Sequence, residues 1–251
     1  MNKCKRSLRL IATVAIASIA GFQAKAQQSV DLIMDNFTSS VISQTNVQLS
    51  NIAIRSAMRN ANAKKAVRGS ASAPVTKVNL AYTPTKDLQD RTFQELVTKL
   101  KTRDANAASA VNNALGAGRA SYDQLFGQMV KESGLPANNA ATAMAAYLEI
   151  AYAIVNNVTD QSSITPAMDK ALQRQTATLL NKNTALTSPT AVAQLGEQLK
   201  LQAVVLYLGW QSTLKNGQFA QFRSNIDQQF KGMGFDLSKV SLTAQGFKKK
   251  A

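Results

Sequence analysis

The stretch Asn138–Asn157, NNAATAMAAYLEIAYAIVNN, decides the fold of this chain. Its core, Ala140–Val155, mixes alanines with bulky apolar side chains, so that nearly every side of the predicted helix is apolar. A helix of this kind is buried on all faces rather than laid on a surface. The 16 residues of this core fall short of the roughly 20 that a membrane-spanning helix needs. We therefore predict a buried helix at the centre of a globular domain.

Glu149 is the one acidic residue of this helix and the candidate buried polar residue of the chain. In one interpretation its carboxyl points to an edge of the helix, or bonds a tyrosine hydroxyl or an arginine. In the other, the carboxyl is removed from water and has a raised pKa, which would make it available as an acid or base. Buried carboxylates are usually paired and structural, which favours the first interpretation.

The N-terminus has the pattern of a secretory signal peptide. Four basic residues precede an apolar run, Leu10–Phe22, and Ala24-Lys25-Ala26 provides a small-x-small cleavage site. We predict that residues 1–26 are removed, which leaves Gln27 as the first mature residue of a periplasmic or secreted protein. The only cysteine, Cys4, would leave with this segment, so the mature chain would contain no disulfide.

The residue inventory excludes several kinds of chemistry. The chain contains no histidine, which excludes a Ser-His-Asp or Cys-His nucleophile and a histidine-containing zinc site. No string of carboxylates resembles an EF-hand calcium loop, and Gly116-Ala117-Gly118 lacks the surroundings of a phosphate-binding loop. We therefore predict no cofactor, no metal ligands and no catalytic residues of these classes.

The positive charge of the chain is unevenly distributed. The formal net charge is +15; removal of the predicted signal peptide would leave +10, concentrated in an arm and linker, residues 27–84, and in the basic tail, residues 248–251. Within the arm, a basic segment forms the candidate binding site: Arg55, Arg59, Lys64, Lys65 and Arg68.

This basic segment has several candidate partners. It could contact an anionic envelope surface or another envelope protein. Nucleic acid is disfavoured, because no aromatic residues are interleaved for base stacking. The alternative is a solvated, partly disordered arm that binds nothing. The sequence leaves the partner unknown, and no transmembrane span is predicted in the mature chain.

From Thr85 onward, apolar residues recur at helical spacing, and capping signals separate the helices. Ser121 and Gln124 form a capping box, and prolines follow the N-cap residues Thr165 and Ser188. We predict an all-α domain over residues 85–247, a single orthogonal or up-down bundle of about six or seven helices. One long helix starts at Pro189, and the C-terminal segment is predicted to lie extended on the bundle through Val240, Leu242 and Phe247.

One short string, Glu132-Ser133-Gly134-Leu135-Pro136, resembles the surroundings of the catalytic glutamate in lytic transglycosylases. The resemblance implies a peptidoglycan-cleaving glycosidase in which Glu132 is the acid and base. The Gly-Leu-Met-Gln segment of those enzymes is absent, since Ala141–Met144 stands in its place, and no second carboxylate is well placed by sequence. A helix C-terminus with a Gly-x-Pro stop is the interpretation we favour.

A wider resemblance covers about residues 82–247. The matching strings are Tyr82-Thr83-Pro84, Gly134-Leu135-Pro136 before the helix with Tyr147, the long helix with Gly209, and Thr243-Ala244-Gln245-Gly246-Phe247. In these features the chain resembles an uncharacterised family of exported bacterial all-helical proteins, in which leucine usually occupies the position of Phe247. The resemblance implies a fold and a compartment, and no activity.

Together these observations lead to one expected function and one alternative. We expect an exported, non-enzymatic helical protein with a binding or structural role in the bacterial envelope. The alternative is the lytic-transglycosylase-like glycosidase that uses Glu132.

Overall fold

A computed structural model describes residues 78–102, 105–118, 121–182, 186 and 188–250. Within these ranges seven α-helices are followed by a two-stranded hairpin, which confirms the predicted all-α class. The helices are α1 Lys86–Lys101, α2 Ala105–Leu115, α3 Tyr122–Val130, α4 Ala140–Val155, α5 Pro166–Leu180, α6 Pro189–Asn216 and α7 Phe219–Gly232. The predicted signal peptide and the basic segment of the arm, Arg55 to Arg68, lie outside the described residues.

The helices begin where the capping signals predict. Both hydrogen bonds of the capping box at Ser121 are present, and the Asn139 side chain accepts from the first free N–H groups of α4. Thr165 and Ser188 cap α5 and α6, each with proline in the first turn. These caps satisfy donors that a helix start otherwise leaves unpaired, and so they fix where each helix begins.

The core is built around α4 and α6, which pack against each other along their lengths. Thirteen of the 16 residues of α4 are buried, and 17 of the 28 in α6 are buried as well. Helices α5 and α7 also pack on α4, while α1 and α3 pack on α6. The prediction of a central helix that is covered on nearly all sides is confirmed. No helix in the described ranges combines the length and the apolar composition needed to cross a bilayer.

The C-terminal segment lies extended on the bundle, as predicted, and folds back into a hairpin. Strands β1, Val240–Thr243, and β2, Gly246–Lys249, are antiparallel and pack on α5. The Gln175 side chain of α5 accepts from the Phe247 N–H at 2.8 Å and donates to the Phe247 carbonyl at 3.2 Å. The first two residues of the predicted basic tail therefore belong to β2.

The leading segment, Val78–Thr85, is fastened to the centre of the bundle before α1 begins. The Ala140 N–H donates to the Leu80 carbonyl at 2.9 Å, and the Tyr82 N–H donates to the Asn138 carbonyl at 3.1 Å. The Tyr82 ring then lies directly over Gly196 of α6, where a Cβ atom would come within 2.7 Å of the tyrosine oxygen. Glycine is required at position 196 because the ring occupies the space of a side chain.

This close approach predicts that Gly196→Ala destabilises the protein by about 1–3 kcal/mol, the usual cost of overpacking a core. Gly127→Ala is the matched control, since Gly127 also lies inside a helix and a Cβ added there would have no neighbouring atom within 4 Å. That control should gain up to about 1 kcal/mol from the better helix propensity of alanine. Urea unfolding measures both changes, and an undiminished stability of Gly196→Ala would show that Tyr82 lies elsewhere.

Candidate functional site

A group of polar side chains inside the described domain surrounds Lys200. Glu197 and Lys200 lie one turn apart on the same face of α6, and both side chains are completely buried. The Lys200 ammonium contacts the Glu197 carboxylate at 2.8 Å and donates to Asp123 Oδ1 at 2.5 Å and to Asn138 Oδ1 at 2.7 Å. An ammonium has three N–H donors, and three acceptors surround it here.

Two tyrosines complete the shell of Glu197. The Tyr82 hydroxyl donates to Glu197 Oε1 at 2.8 Å, and the Tyr122 hydroxyl donates to Glu197 Oε2 at 2.6 Å. Burial, followed by the interaction with Glu197, raises the pKa of both hydroxyls far above the ordinary tyrosine value. Both tyrosines therefore remain neutral donors, and each carboxylate oxygen of Glu197 has a donor of its own.

The resulting Lys200 cluster consists of Lys200, Glu197, Asp123, Asn138, Tyr82 and Tyr122. The rings of Tyr82 and Phe126 also face the ammonium, with centroids 5.3 Å and 5.9 Å away. The cluster joins α6 to α3, to the leading segment and to the turn before α4. Its charged groups are directed at one another, so the arrangement can hold these elements in register.

We predict that Lys200→Met lowers the free energy of unfolding by about 3–5 kcal/mol, because it leaves the buried Glu197 carboxylate without its counter-charge. The double variant Lys200→Met, Glu197→Gln should lose less than the sum of the two single losses. Lys86→Met is the control, since its ion pair with Asp90 is exposed and such pairs contribute about 0–1 kcal/mol. Equal losses at Lys200 and Lys86, measured by urea unfolding, would contradict the structural role of the cluster.

A second polar pair lies in a small cavity between α3, α4 and α5. The cavity has a volume of about 30 Å³ and is lined by residues from the end of α3, the turn that follows, α4 and α5. Most of the lining is apolar, with Met129, Val130, Leu135 and Ile150 among it. Glu149 of α4 and Asp169 of α5 both reach this cavity.

The two carboxyl groups affect each other's pKa. Burial first, and then the charge of Asp169, raise the pKa of Glu149 well above its ordinary value; burial also raises the pKa of Asp169, against the opposing effect of a hydrogen bond from Glu149. Ionised carboxylates only accept hydrogen bonds, so a proton on Glu149 is what allows the two groups to bond. The structure thus places Glu149, half-buried, beside a second acid rather than beside a tyrosine or an arginine.

This pair predicts a specific pH dependence. Because the folded-state pKa values are raised, the folded protein binds the shared proton more tightly than the unfolded chain does. The stabilising effect of the proton is complete below the unfolded-state pKa of about 4.3 and is lost as the pH rises through the folded-state value.

Glu149→Gln should remove this loss, because its amide can donate to Asp169 without titrating. In buffer with EDTA, we expect the variant to be more stable than the original chain near pH 7, by about 1–3 kcal/mol, and the difference to shrink toward pH 4. Urea unfolding across this pH range measures the difference. A constant difference at all pH values would show that the pair does not share a proton.

The candidate catalytic residue Glu132 lies in the exposed turn that follows α3. Its neighbours Ser133 and Leu135 line the cavity, whereas Glu132 is not among the lining residues. The Ser133 hydroxyl donates to the Val130 carbonyl at 2.7 Å, and Gly134 has a positive φ of 65°. The string Glu132–Pro136 therefore ends α3, in the manner of a Gly-x-Pro stop.

Sequence reasoning identified Glu149 and missed its partner and the whole Lys200 cluster. Asp169 occupies the first turn of α5, where an acidic residue is ordinary because it opposes the positive end of the helix dipole. A usable signal existed for the cluster: Glu197 and Lys200, spaced i, i+3, stand directly before the half of α6 that is apolar around most of its circumference. Charges in such a helix must be paired within the core.

The fold and these two clusters define an all-α protein whose internal polar groups lie between helices. No group of three or more potential metal ligands among Asp, Glu, Cys and His occurs in the part of the chain that is described. The chain belongs to a family of unknown function, DUF6683, whose sequence profile matches residues 5–250. Searches of curated proteins and of solved structures found no match.

Proposed function

We propose that this chain is an exported, non-enzymatic protein of the bacterial envelope, and that it binds an anionic envelope component through its basic residues. The observation that supports the proposal is that the charged groups of the Lys200 cluster are paired with one another inside the domain. The charged and tyrosine side chains of this cluster bind one another, and these contacts hold the helices together.

The second polar site also argues against an enzyme acting on a polymer. A cavity of about 30 Å³ has room for a few water molecules at most, far less than the 300–1,000 Å³ typical of sites for small organic ligands. Glu132, the residue of the glycosidase alternative, is exposed and lies beside this cavity rather than in it. Among the residues that the structure describes, the printed cavity beside these carboxyls is therefore too small to hold a sugar ring.

Positive charge is the remaining feature that can recognise a partner. The basic segment of the arm places Arg55, Arg59, Lys64, Lys65 and Arg68 within 14 residues. In the folded domain, Lys248 and Lys249 are exposed on β2, and the Lys239 side chain nearby is 74% exposed. Clustered basic side chains attract anionic surfaces, with a strength that falls as salt screens the charges. The N-terminal signal-peptide pattern supports delivery of these residues to the envelope.

The proposal predicts that the purified chain co-sediments with envelope fragments at low ionic strength and is released by about 0.5 M salt, where the Debye length is a few ångströms. Replacing the five basic residues Arg55 to Arg68 by glutamine should reduce binding at least tenfold. Lys99→Gln, Lys101→Gln is the control, because it removes two exposed positive charges from α1 that belong neither to the basic segment of the arm nor to β2. The exported chain is expected to begin at Gln27, which N-terminal sequencing checks.

Two results would contradict the proposal. Binding that is unaffected by salt and by the five substitutions would exclude recognition through the basic segment. Release of muropeptides from purified cell-wall sacculi, abolished by Glu132→Gln, would establish the glycosidase alternative instead.

A further inference from the structure

Three groups that together can form an amide cross-link meet at one atom of the Lys200 cluster. The Lys200 ammonium donates to Oδ1 of the Asn138 side chain at 2.7 Å and contacts the Glu197 carboxylate at 2.8 Å. The Lys200 and Glu197 side chains are completely buried. Exchange of one amide for another needs a primary amine as nucleophile, a carboxamide as electrophile and a group that accepts a proton. The cluster provides all three within hydrogen-bond distance of Lys200 Nζ.

The backbone fixes the Asn138 amide relative to Lys200. Asn138 directly precedes Asn139, the N-cap residue of α4, and its own carbonyl accepts from the Tyr82 N–H at 3.1 Å. Lys200 lies in the enclosed part of α6, so packing holds the stem of its side chain. Well-oriented groups inside one molecule can react as though each were present at about 10⁵–10⁸ M. This positioning accelerates a reaction that a lysine and an asparagine do not undergo measurably in dilute solution.

The interior position lowers the cost of forming the neutral amine that the reaction requires. Ions lose hydration when they are buried, so transfer of one proton from Lys200 to Glu197, which removes both charges, costs less here than in water. The Tyr82 and Tyr122 hydroxyls hold the Glu197 carboxyl in position for this transfer. Asn138 is exposed, so the ammonia that leaves can pass into solvent.

We infer that Lys200 and Asn138 become joined by an isopeptide bond, in a single reaction of the chain with itself in which Glu197 is the base. Glu197 takes one proton from the Lys200 ammonium. The neutral Nζ attacks Cγ of Asn138, the Nζ–Cγ bond forms, and the Cγ–Nδ2 bond breaks. The leaving nitrogen takes up a second proton from Nζ and departs as ammonia. One amide replaces another, Glu197 keeps the first proton, and no oxidant or further reactant is needed.

The bond ties the two central helices together covalently. Positions 138 and 200 are 62 residues apart, and they lie at the start of α4 and within α6. The chain contains a single cysteine, Cys4, so an intramolecular disulfide cannot perform this role. The ion pair between Lys200 and Glu197 aligns the reacting groups first, and the amide then takes its place, so Lys200→Met removes both.

Mass spectrometry of the purified chain tests the bond. After prolonged incubation at neutral pH, the chain should be lighter than its sequence by one molecule of ammonia. Trypsin should fail to cleave after Lys200, and peptide 132–170 should be found joined to peptide 183–215. Cyclisation of Gln27 at the N-terminus also releases ammonia, so the joined peptides decide the question rather than the mass alone.

The same molecule contains a matched control. The Lys250 ammonium donates to Asn156 Oδ1 at 2.9 Å, but Lys250 is exposed and takes part in none of the ion pairs among the described residues. These two residues should remain unlinked. Lys200→Arg and Asn138→Ala should each abolish the cross-link, and Glu197→Gln should slow its formation by about 10²-fold or more, the usual contribution of a general base.

Three results would overturn the inference in whole or in part. Full recovery of peptides that end at Lys200 would show that Lys200 and Asn138 share only a hydrogen bond, whatever the mass of the chain. A link from Lys200 to peptide 120–131, with loss of water instead of ammonia, would assign the bond to Asp123, whose Oδ1 lies 2.5 Å from Nζ. An unchanged rate in Glu197→Gln would contradict the role of Glu197 as the base. The first two measurements use the unaltered chain, so they decide the question even if a variant fails to fold.

Discussion

Close packing of α4 against α6 is the constraint on which the rest of the structure depends. Alanines make up much of α4, and their small side chains let a neighbouring helix approach closely while losing little conformational entropy on burial. Because both helices are covered on most sides, the other helices, the leading segment and the hairpin must form a shell around them. The buried polar groups are a consequence of this arrangement, since Glu197 and Lys200 stand in the enclosed part of α6.

The Lys200 cluster therefore contributes to the uniqueness of the fold more than to its stability. Replacing a buried ion pair by apolar residues of the same size is often neutral or stabilising, whereas removing one partner is costly. Lys200 and Glu197 are fully satisfied only when α3, the leading segment and the turn at Asn138 all occupy their places. A shift of α6 along its axis by one turn would leave several buried donors and acceptors unpaired, so alternative packings are penalised.

The sequence predicted what depends on local signals and failed where contacts join distant residues. The bounds of α4 and the caps at Ser121, Thr165 and Ser188 follow from residues within one turn of each other, and they agree with the structure. The Lys200 cluster unites positions from 82 to 200, and no local pattern relates them. Asp169 stands where an acidic residue is ordinary, in the first turn of a helix, so the sequence does not mark it as buried. The strands of the hairpin are only four residues long, so their pattern in the sequence is short. The Tyr-x-Pro string is recognisable from the sequence only as a family resemblance. Its physical reason is that the Tyr82 ring lies against Gly196, and this contact is visible only in the folded structure.

The attachment of the leading segment has a mechanical consequence. Tension transmitted through Val78 would act on the contacts of Val78, Leu80 and Tyr82, which join this segment to Asn181 and to the start of α4. The hydroxyl of Tyr82 passes part of that tension directly to Glu197 in the interior. Force transmitted through Val78 would thus act directly on a buried contact of the domain.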